Sequence, residues 1–264
     1  LVHAKSSSGG DGKPPVVLVH GAWHGAWCWQ THFMDHLATA GHDVVALDLR
    51  GHGQSEAVTT MRWYRISHYA DDVMRVIEGL DTPPVLIGHS MGGLVSQHCL
   101  KRTDRLAGVG LLASVPYYGV LPVTLKVATR HPIAFAEANL RWTLWPLVRK
   151  RDHAHEMFLE PDMDTAAANA IIDRLSDESY WAFLDMLGLD LPGRIETDIP
   201  VLVVAGEKDT LFSVASQQAT ARRYDAPCHV VEGAPHDLML ASQWREAADL
   251  FVAWMQNLPA RSSK

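Results

Sequence analysis

Cysteine is scarce in this sequence, and its arrangement argues against two kinds of stabilised fold. The 264 residues include three cysteines, Cys28, Cys99 and Cys228, without a C-x-x-C pair. An odd number at these spacings disfavours both a disulfide framework and a structural zinc site. We therefore expect no metal and a reducing, cytoplasmic compartment. Residues 1–12 also lack the apolar core of a signal peptide.

Long apolar runs and an excess of positive charge are both missing. No stretch approaches the roughly 18 apolar residues that span a bilayer, so we expect no integral membrane segment. The net charge of −7 disfavours a nucleic-acid partner. With 47% hydrophobic and 20% charged residues, the composition is that of a globular protein with one large domain, or one domain with an inserted subdomain.

Short apolar runs alternate with helical patterns along most of the chain. Each run is continuous, which is typical of strands that are buried on both faces of a parallel sheet. The predicted strands are Val16–Val19, Val44–Leu47, Val85–Ile87, Val109–Leu112, Val201–Val204 and His229–Val231. Helical patterns lie near 30–40, 68–80, 91–102, 214–224 and 242–256. This alternation predicts an α/β fold with a doubly wound, mostly parallel sheet, whose ligand crevice lies at the carboxyl ends of the strands.

One segment, 117–195, interrupts the alternation. It carries helical patterns and many large apolar residues, and it is too long and too apolar for a plain loop. We interpret it as an α-helical lid that is inserted after the strand ending at Leu112; the alternative is a set of extra helices with no role in binding. The predicted organisation is a core over 14–116 and 196–258, with flexible tails over 1–13 and 259–264.

The sharpest local pattern is a serine flanked by glycines. The segment Gly88–Gly93 reads Gly-His-Ser-Met-Gly-Gly, follows a predicted strand and begins a helical pattern. This is the G-x-S-x-G nucleophile elbow in the strand–turn–helix context that it requires. Such a turn exposes the hydroxyl of Ser90, which is the predicted nucleophile. The N–H of Met91 lies at the helix N-terminus, where it favours an oxyanion.

A serine hydroxyl needs a general base, and the base needs a carboxylate to orient it. On this scaffold the chain order is nucleophile, acid, base. His236, in the turn after the last predicted strand, is the predicted base. Asp209, in the turn after the Val201–Val204 strand, is the predicted acid, with Glu207 in the same turn as its competitor.

The loop after the first buried strand is the candidate source of a second oxyanion donor. It contains His20-Gly21-Ala22-Trp23, and the N–H of Ala22 is the predicted donor. We expect His20 to tie the loop together as a buried histidine and Trp23 to line the substrate pocket. Three tryptophans of the lid are further pocket candidates: Trp142, Trp145 and Trp181.

Together these motifs resemble the α/β-hydrolase superfamily across residues 14–256. The motifs are Leu18–Gly21, Asp48–Ser55, Gly88–Gly93, Gly206–Asp209 and the His236 turn. The resemblance implies a serine hydrolase with a cap between the sixth and seventh strands of the family's core. It also implies that Ser90 is the nucleophile, Asp209 the acid, His236 the base, and Ala22 and Met91 the oxyanion donors.

Narrower similarities concern parts of the chain. His20–Trp27 and Gly41–Leu49 resemble plant methylesterases and hydroxynitrile lyases, although those lyases carry threonine where Gly21 stands and lysine where Asp237 stands. A lyase is therefore disfavoured. The Arg50–Ser55 stretch resembles bacterial carboxylesterases and lysophospholipase-like hydrolases. Haloalkane dehalogenases and epoxide hydrolases place an aspartate at the nucleophile position, so they too are disfavoured.

These patterns predict a serine carboxylesterase that acts on a small hydrophobic ester and needs no cofactor. One alternative is another reaction on the same triad, namely cleavage of a lactone, an amide or a carbon–carbon bond, or acyl transfer. The other is a non-catalytic, receptor-like protein whose lid closes on a ligand. The segment His153–Glu156 is interpreted as a solvated helix face rather than a metal site.

Overall fold

A single sheet organises the protein. The computed structural model describes residues 1–5, 12–57 and 59–259. Its strands are β1 Val2–Ala4, β2 Val16–Val19, β3 Val44–Leu47, β4 Val85–His89, β5 Gly108–Leu112, β6 Val201–Gly206 and β7 Cys228–Val231. The strand order is β1-β3-β2-β4-β5-β6-β7, with β1 antiparallel to β3 and every other pairing parallel. The prediction of a mostly parallel α/β sheet is therefore confirmed.

Helices cover the sheet and fill the interval between β5 and β6. They are α1 Trp27–Gln30, α2 Phe33–Thr39, α3 Ile66–Glu78, α4 Met91–Arg102, α5 Leu121–Arg130, α6 Pro132–Arg141, α7 Trp145–Val148, α8 Arg151–Phe158, α9 Thr165–Ile172, α10 Tyr180–Leu184, α11 Val214–Arg223 and α12 Trp244–Met255. A 3₁₀ turn spans Met61–Trp63 and a π-helical turn spans Asp185–Leu189. All residues of β2 to β6 are buried, because helices pack on both faces of these strands.

The first strand corrects the expectation of a flexible tail over 1–13. Residues 2–4 pair with β3, Val2 opposite Ala46 and Ala4 opposite Val44. Backbone hydrogen bonds to an available sheet edge hold this segment, so three residues suffice without an apolar run. Lys13 is also fixed, since its Nζ donates to the carbonyl oxygen of Ala40 at 2.6 Å. Residues 6–11 and 260–264 of the two expected tails lie outside the described residues.

Buried polar contacts join the segment between β5 and β6 to the rest of the chain. The carboxylate of Glu178 accepts from Nε2 of His52 at 3.0 Å and from the hydroxyl of Tyr69 at 2.8 Å. Asp185 accepts from Nε of Arg65 at 2.7 Å and 2.8 Å through its two oxygens. These hydrogen bonds attach the helices between β5 and β6 to the loop after β3 and to the beginning of α3.

In the part of the chain that the structure describes, no helix combines the length and the apolar character needed to cross a bilayer.

Candidate active site

Ser90 occupies a strained turn between β4 and α4. Its φ of 52° and ψ of −119° lie outside the regions that side-chain-bearing residues ordinarily adopt. Two glycines permit the turn by close approach of backbones. A Cβ on Gly88 would lie 2.3 Å from the carbonyl oxygen of Gly92, and a Cβ on Gly92 would lie 2.4 Å from that of His20. The strain lifts the Ser90 side chain out of the helix and presents it at the carboxyl edge of the sheet.

Asp209 and His236 meet at the same edge, in the loops after β6 and β7. Nδ1 of His236 lies 2.9 Å from Oδ2 of Asp209, and each side chain is 1% exposed. The other oxygen of Asp209 accepts the backbone N–H groups of Leu211 and Phe212 at 2.8 Å and 2.9 Å. The carboxylate is therefore fixed on both sides and can orient the imidazole.

Glu207, the competing acid, points elsewhere. Its carboxylate accepts the backbone N–H of Gly233 at 3.0 Å and lies 3.7 Å from Nζ of Lys208, with 42% of the side chain exposed. The structure thus brings Asp209, and not Glu207, to the imidazole of His236.

The ring of His236 lies beside the nucleophile turn. It packs 4.8 Å from the ring of His89, the neighbour of Ser90, and 5.4 Å from the ring of Phe212. Phe212 and Ser90 line the same cavity. Among the described residues, the Ser90 hydroxyl makes no hydrogen bond to His236, so this pair is not joined as the Asp209–His236 pair is. Catalytic hydrogen bonds of this kind are often longer before substrate binds.

Two backbone N–H groups at the cavity of Ser90 have no protein acceptor among the described residues. Within the described chain, neither the N–H of Ala22 nor that of Met91 donates to a protein acceptor. Both residues line the cavity together with Ser90. Free N–H groups at a helix N-terminus and in the facing loop match the donors that stabilise a developing oxyanion.

His20 holds the peptide that carries the Ala22 N–H. Its Nδ1 donates to the carbonyl oxygen of Gly21 at 2.8 Å, while its Nε2 accepts the backbone N–H of Leu49 at 3.1 Å. Burial, followed by the nearby His52, lowers the pKa of His20 well below 6.5, in keeping with this neutral tautomer. The Gly21 carbonyl and the Ala22 N–H belong to one trans peptide and point in opposite directions, so fixing the first aims the second.

The cavity at Ser90 has an apolar lining. Among the described residues that line it none is charged, and only Ser90 and Thr124 carry a hydroxyl. The helices between β5 and β6 supply much of the wall, including Val123, Val127, Phe135, Leu147, Phe183 and Met186. An apolar concave lining with few polar groups is typical of sites that bind small organic ligands.

Of the four tryptophans predicted to line the pocket, the structure places Trp23 there and the other three elsewhere. Trp142 is 44% exposed and Trp145 is 37% exposed. Trp181 stacks on the ring of Trp63 at 6.2 Å. Aliphatic side chains, Phe135 and Phe183 fill the space instead. A count of tryptophans in a helical segment does not specify which helix face turns inward; here Trp142 and Trp145 are exposed, and Trp181 is half-buried against Trp63.

Two buried histidine–carboxylate pairs near the site were not predicted. They are His24 with Asp237 and His52 with Glu178, and all four side chains are at most 1% exposed. His24, His52 and Asp237 stand inside the motifs quoted above, but no spacing in the sequence indicates their partners. Glu178 lies outside these motifs. Its partners, His52 and Tyr69, are more than 100 positions away in the sequence, so no local pattern indicates the contact.

Potential metal ligands within the described residues meet in one cluster, His89, His236 and Asp237, whose ligand atoms lie within 4.8 Å of one another. Nδ1 of His236 is bonded to Asp209 and Oδ2 of Asp237 to His24. Burial, and then the nearby His236, lowers the pKa of His89 to about 3, so this imidazole is neutral. These groups are thus engaged as hydrogen-bonding partners of the site.

Parts of the chain are similar in sequence to known hydrolases. The chain is 35% identical over 129 residues to Methylesterase 10 of Arabidopsis thaliana, covering 46% of this chain and 45% of the relative. It is 36% identical over 121 residues to Epoxide hydrolase B of Mycobacterium tuberculosis, covering 45% of this chain and 33% of the relative. The chain thus aligns with less than half the length of these curated relatives.

Solved structures extend the likeness to nearly the whole fold. The esterase EaEST of Exiguobacterium antarcticum superposes with a TM-score of 0.76 at 17% identity, covering 97% of this chain and 94% of that structure. The model of the alpha/beta hydrolase family matches residues 16–250. On this match, the chain belongs to the alpha/beta hydrolase family.

Proposed function

We propose that the protein is a serine hydrolase that cleaves a hydrophobic carboxylic ester through an acyl-enzyme intermediate. One observation carries the proposal: Ser90 stands on a strained elbow and lines an apolar cavity, and the ring of His236, which is bonded to Asp209, packs 4.8 Å from the ring of the adjacent His89. A strained backbone at a cavity mouth is a feature of functional sites. The relatives named methylesterase support ester hydrolysis as the reaction.

In the first half of the reaction, Oγ of Ser90 attacks the ester carbonyl carbon while Nε2 of His236 takes the hydroxyl proton. Asp209 holds Nδ1 of the ring and stabilises the imidazolium. The carbonyl oxygen becomes an oxyanion between the N–H groups of Ala22 and Met91. When the tetrahedral intermediate collapses, the alcohol leaves with the proton from His236.

In the second half, a water molecule attacks the acyl-enzyme as His236 accepts its proton. The same two N–H groups receive the oxyanion, and collapse releases the carboxylic acid and returns the proton to Ser90. Neither half needs a cofactor. The helices between β5 and β6 act as a lid in this proposal, because their apolar side chains enclose the acyl group and keep bulk water from the acyl-enzyme.

The cavity indicates which esters to test. With no charged side chain in its described lining, it favours a neutral, apolar small molecule over a charged one, since a buried charge would lack a partner. A series of p-nitrophenyl esters of increasing acyl length, with matched amides and lactones, measures this preference directly.

We expect Ser90→Ala to lower kcat for the best ester by at least about 10⁴-fold, because the nucleophile is lost while the fold is kept. Thermal unfolding of the variant at the wild-type temperature establishes that the fold is intact. An alanine variant that hydrolyses the ester at the wild-type rate would exclude Ser90 as the nucleophile. A wild-type protein that turns over none of the esters would refute the proposed function.

A further inference from the structure

A buried pair, His24 and Asp237, joins the loop that carries the Ala22 N–H to the segment after His236. Nε2 of His24 is 2.9 Å from Oδ2 of Asp237, and Nδ1 of the same ring is 2.8 Å from the carbonyl oxygen of Ala22. The two side chains are 1% and 0% exposed. Asp237 is the residue that follows His236, so the pair connects the loop of the oxyanion donor to the segment of the base.

The hydrogen-bond partners determine the protonation state of His24. A carbonyl oxygen only accepts, so Nδ1 must carry a proton; a carboxylate also accepts, so Nε2 must carry one too. The ring is therefore an imidazolium beside a carboxylate. Burial alone would lower the pKa of His24, but the charge and hydrogen bond of Asp237 outweigh it and raise that pKa above 6.5. Burial would raise the pKa of Asp237, but His24 holds it below its usual value.

The backbone beside this pair is strained. Trp23 has a φ of 65°, a left-handed conformation that a bulky side chain rarely adopts. Both peptides of Trp23 are hydrogen-bonded: the adjacent His24 donates from Nδ1 to the carbonyl of Ala22, and the distant backbone N–H of Ser176 donates to the carbonyl of Trp23 at 2.9 Å. Strain of this kind persists only where surrounding contacts enforce it.

We propose that the His24–Asp237 ion pair positions the oxyanion loop against the loop of the catalytic base. The inference rests on the proposed function, because it concerns the same hydrolytic site. His24 holds the Ala22–Trp23 peptide, adjacent to the peptide whose N–H receives the oxyanion. Asp237 is fixed in turn by its own backbone N–H, which donates to the carbonyl of Phe158 at 3.0 Å. Loss of the bond to Ala22 lets the strained loop relax and withdraws the donor from the oxyanion.

Two double variants test the two hydrogen bonds of His24 separately, and in both of them positions 24 and 237 carry no charge. An asparagine at position 24 places its amide N–H₂ near the former Nδ1, and a glutamine places it near the former Nε2. His24→Asn with Asp237→Asn therefore keeps a donor toward Ala22, whereas His24→Gln with Asp237→Asn keeps a donor toward position 237. Replacing Asp237 in both avoids leaving a buried carboxylate without a counter-charge.

We expect kcat for the ester to fall about 10²-fold in the glutamine double variant, with KM changed less than about threefold, since a displaced oxyanion donor weakens transition-state binding. The asparagine double variant should keep at least about ten times more kcat than the glutamine one. A smaller ratio between the two overturns the proposal. A pair with a purely structural role would lower both kcat values together.

His36 and Asp249 provide a matched control, because their His–Asp contact of 2.6 Å lies on the surface. His36→Gln with Asp249→Asn should leave kcat and KM unchanged.

Wild-type turnover and covalent labelling of Ser90 test the proposed function independently, so equal kcat values in active variants reject only this inference. If the variants do not fold, ¹⁵N NMR of the wild-type protein tests the ion pair on which the proposal depends: both His24 nitrogens should be protonated at pH 6, and a neutral ring overturns the proposal.

Discussion

Asp209 illustrates how single atoms define the candidate site. Its Oδ2 faces Nδ1 of His236 at 2.9 Å, while its Oδ1 is held by two backbone N–H groups. The second oxygen cannot rotate away without breaking these bonds. The carboxylate thereby selects the imidazole tautomer whose Nε2 is unprotonated, and in the proposed mechanism this nitrogen accepts the serine proton.

We expect Asp209→Asn to lower kcat by roughly 10⁴-fold, because an amide at this position favours the wrong tautomer of His236. The matched control is Glu207→Gln in the same turn, whose amide oxygen can still accept the N–H of Gly233. Steady-state kinetics on one ester compares the two. If the Glu207 variant lost activity and the Asp209 variant kept it, Glu207 and not Asp209 would be the carboxylate that orients His236.

Gly21 sets the distance between the oxyanion loop and the nucleophile turn. A Cβ there would lie 2.9 Å from Nδ1 of His89 and 2.9 Å from Cβ of Ser90, both of which are buried. We expect Gly21→Ala to reduce kcat by about 10²-fold through displacement of the reacting groups. Gly79→Ala, where φ is −78° and a Cβ would meet its nearest atom at 3.4 Å, should leave kcat unchanged. Normal kcat in the Gly21 variant would mean that the two loops tolerate separation.

At the scale of elements, the connection between the helices after β5 and the sheet core depends on buried charge. Glu178 accepts from His52 and Tyr69, and Nδ1 of His52 lies 3.3 Å from the carbonyl oxygen of Arg50. Both ring nitrogens of His52 thus donate, and the ring is an imidazolium. Burial would lower the pKa of His52, but the charge and hydrogen bond of Glu178 raise it above 6.5.

We expect Glu178→Gln to lower the free energy of unfolding by about 2–3 kcal/mol at pH 6, because a buried charge loses its partner. Since the pKa of His52 is raised in the folded state, the stabilisation by the pair is present below pH 6.5 and is lost as pH rises through the folded pKa. The difference between wild type and variant should therefore shrink at pH 9. Urea unfolding at both pH values measures it, and a difference that grows with pH would contradict a charged pair.

Across the whole molecule, the features set by local sequence were the predictable ones. Five strands, β2 to β6, are built on continuous apolar runs, and the Gly88–Gly93 turn is a single contiguous motif, so both could be predicted. β1 escaped prediction because three residues carry no periodic pattern and their pairing partners in β3 lie 40 to 44 positions away. The partners of His24 and Glu178 and the inward faces of the inserted helices depend on tertiary packing, which sequence spacing does not encode.

Covalent labelling by a fluorophosphonate tests the catalytic role of Ser90 most directly, since an activated serine displaces fluoride from the reagent and becomes a phosphonate ester. We expect one label per chain, located by peptide mass spectrometry on Ser90, and a labelling rate at least about 10²-fold lower in the Asp209→Asn variant. A protein that remains unlabelled at Ser90 while its fold is intact, or that is labelled at another serine, would contradict the assignment of this triad.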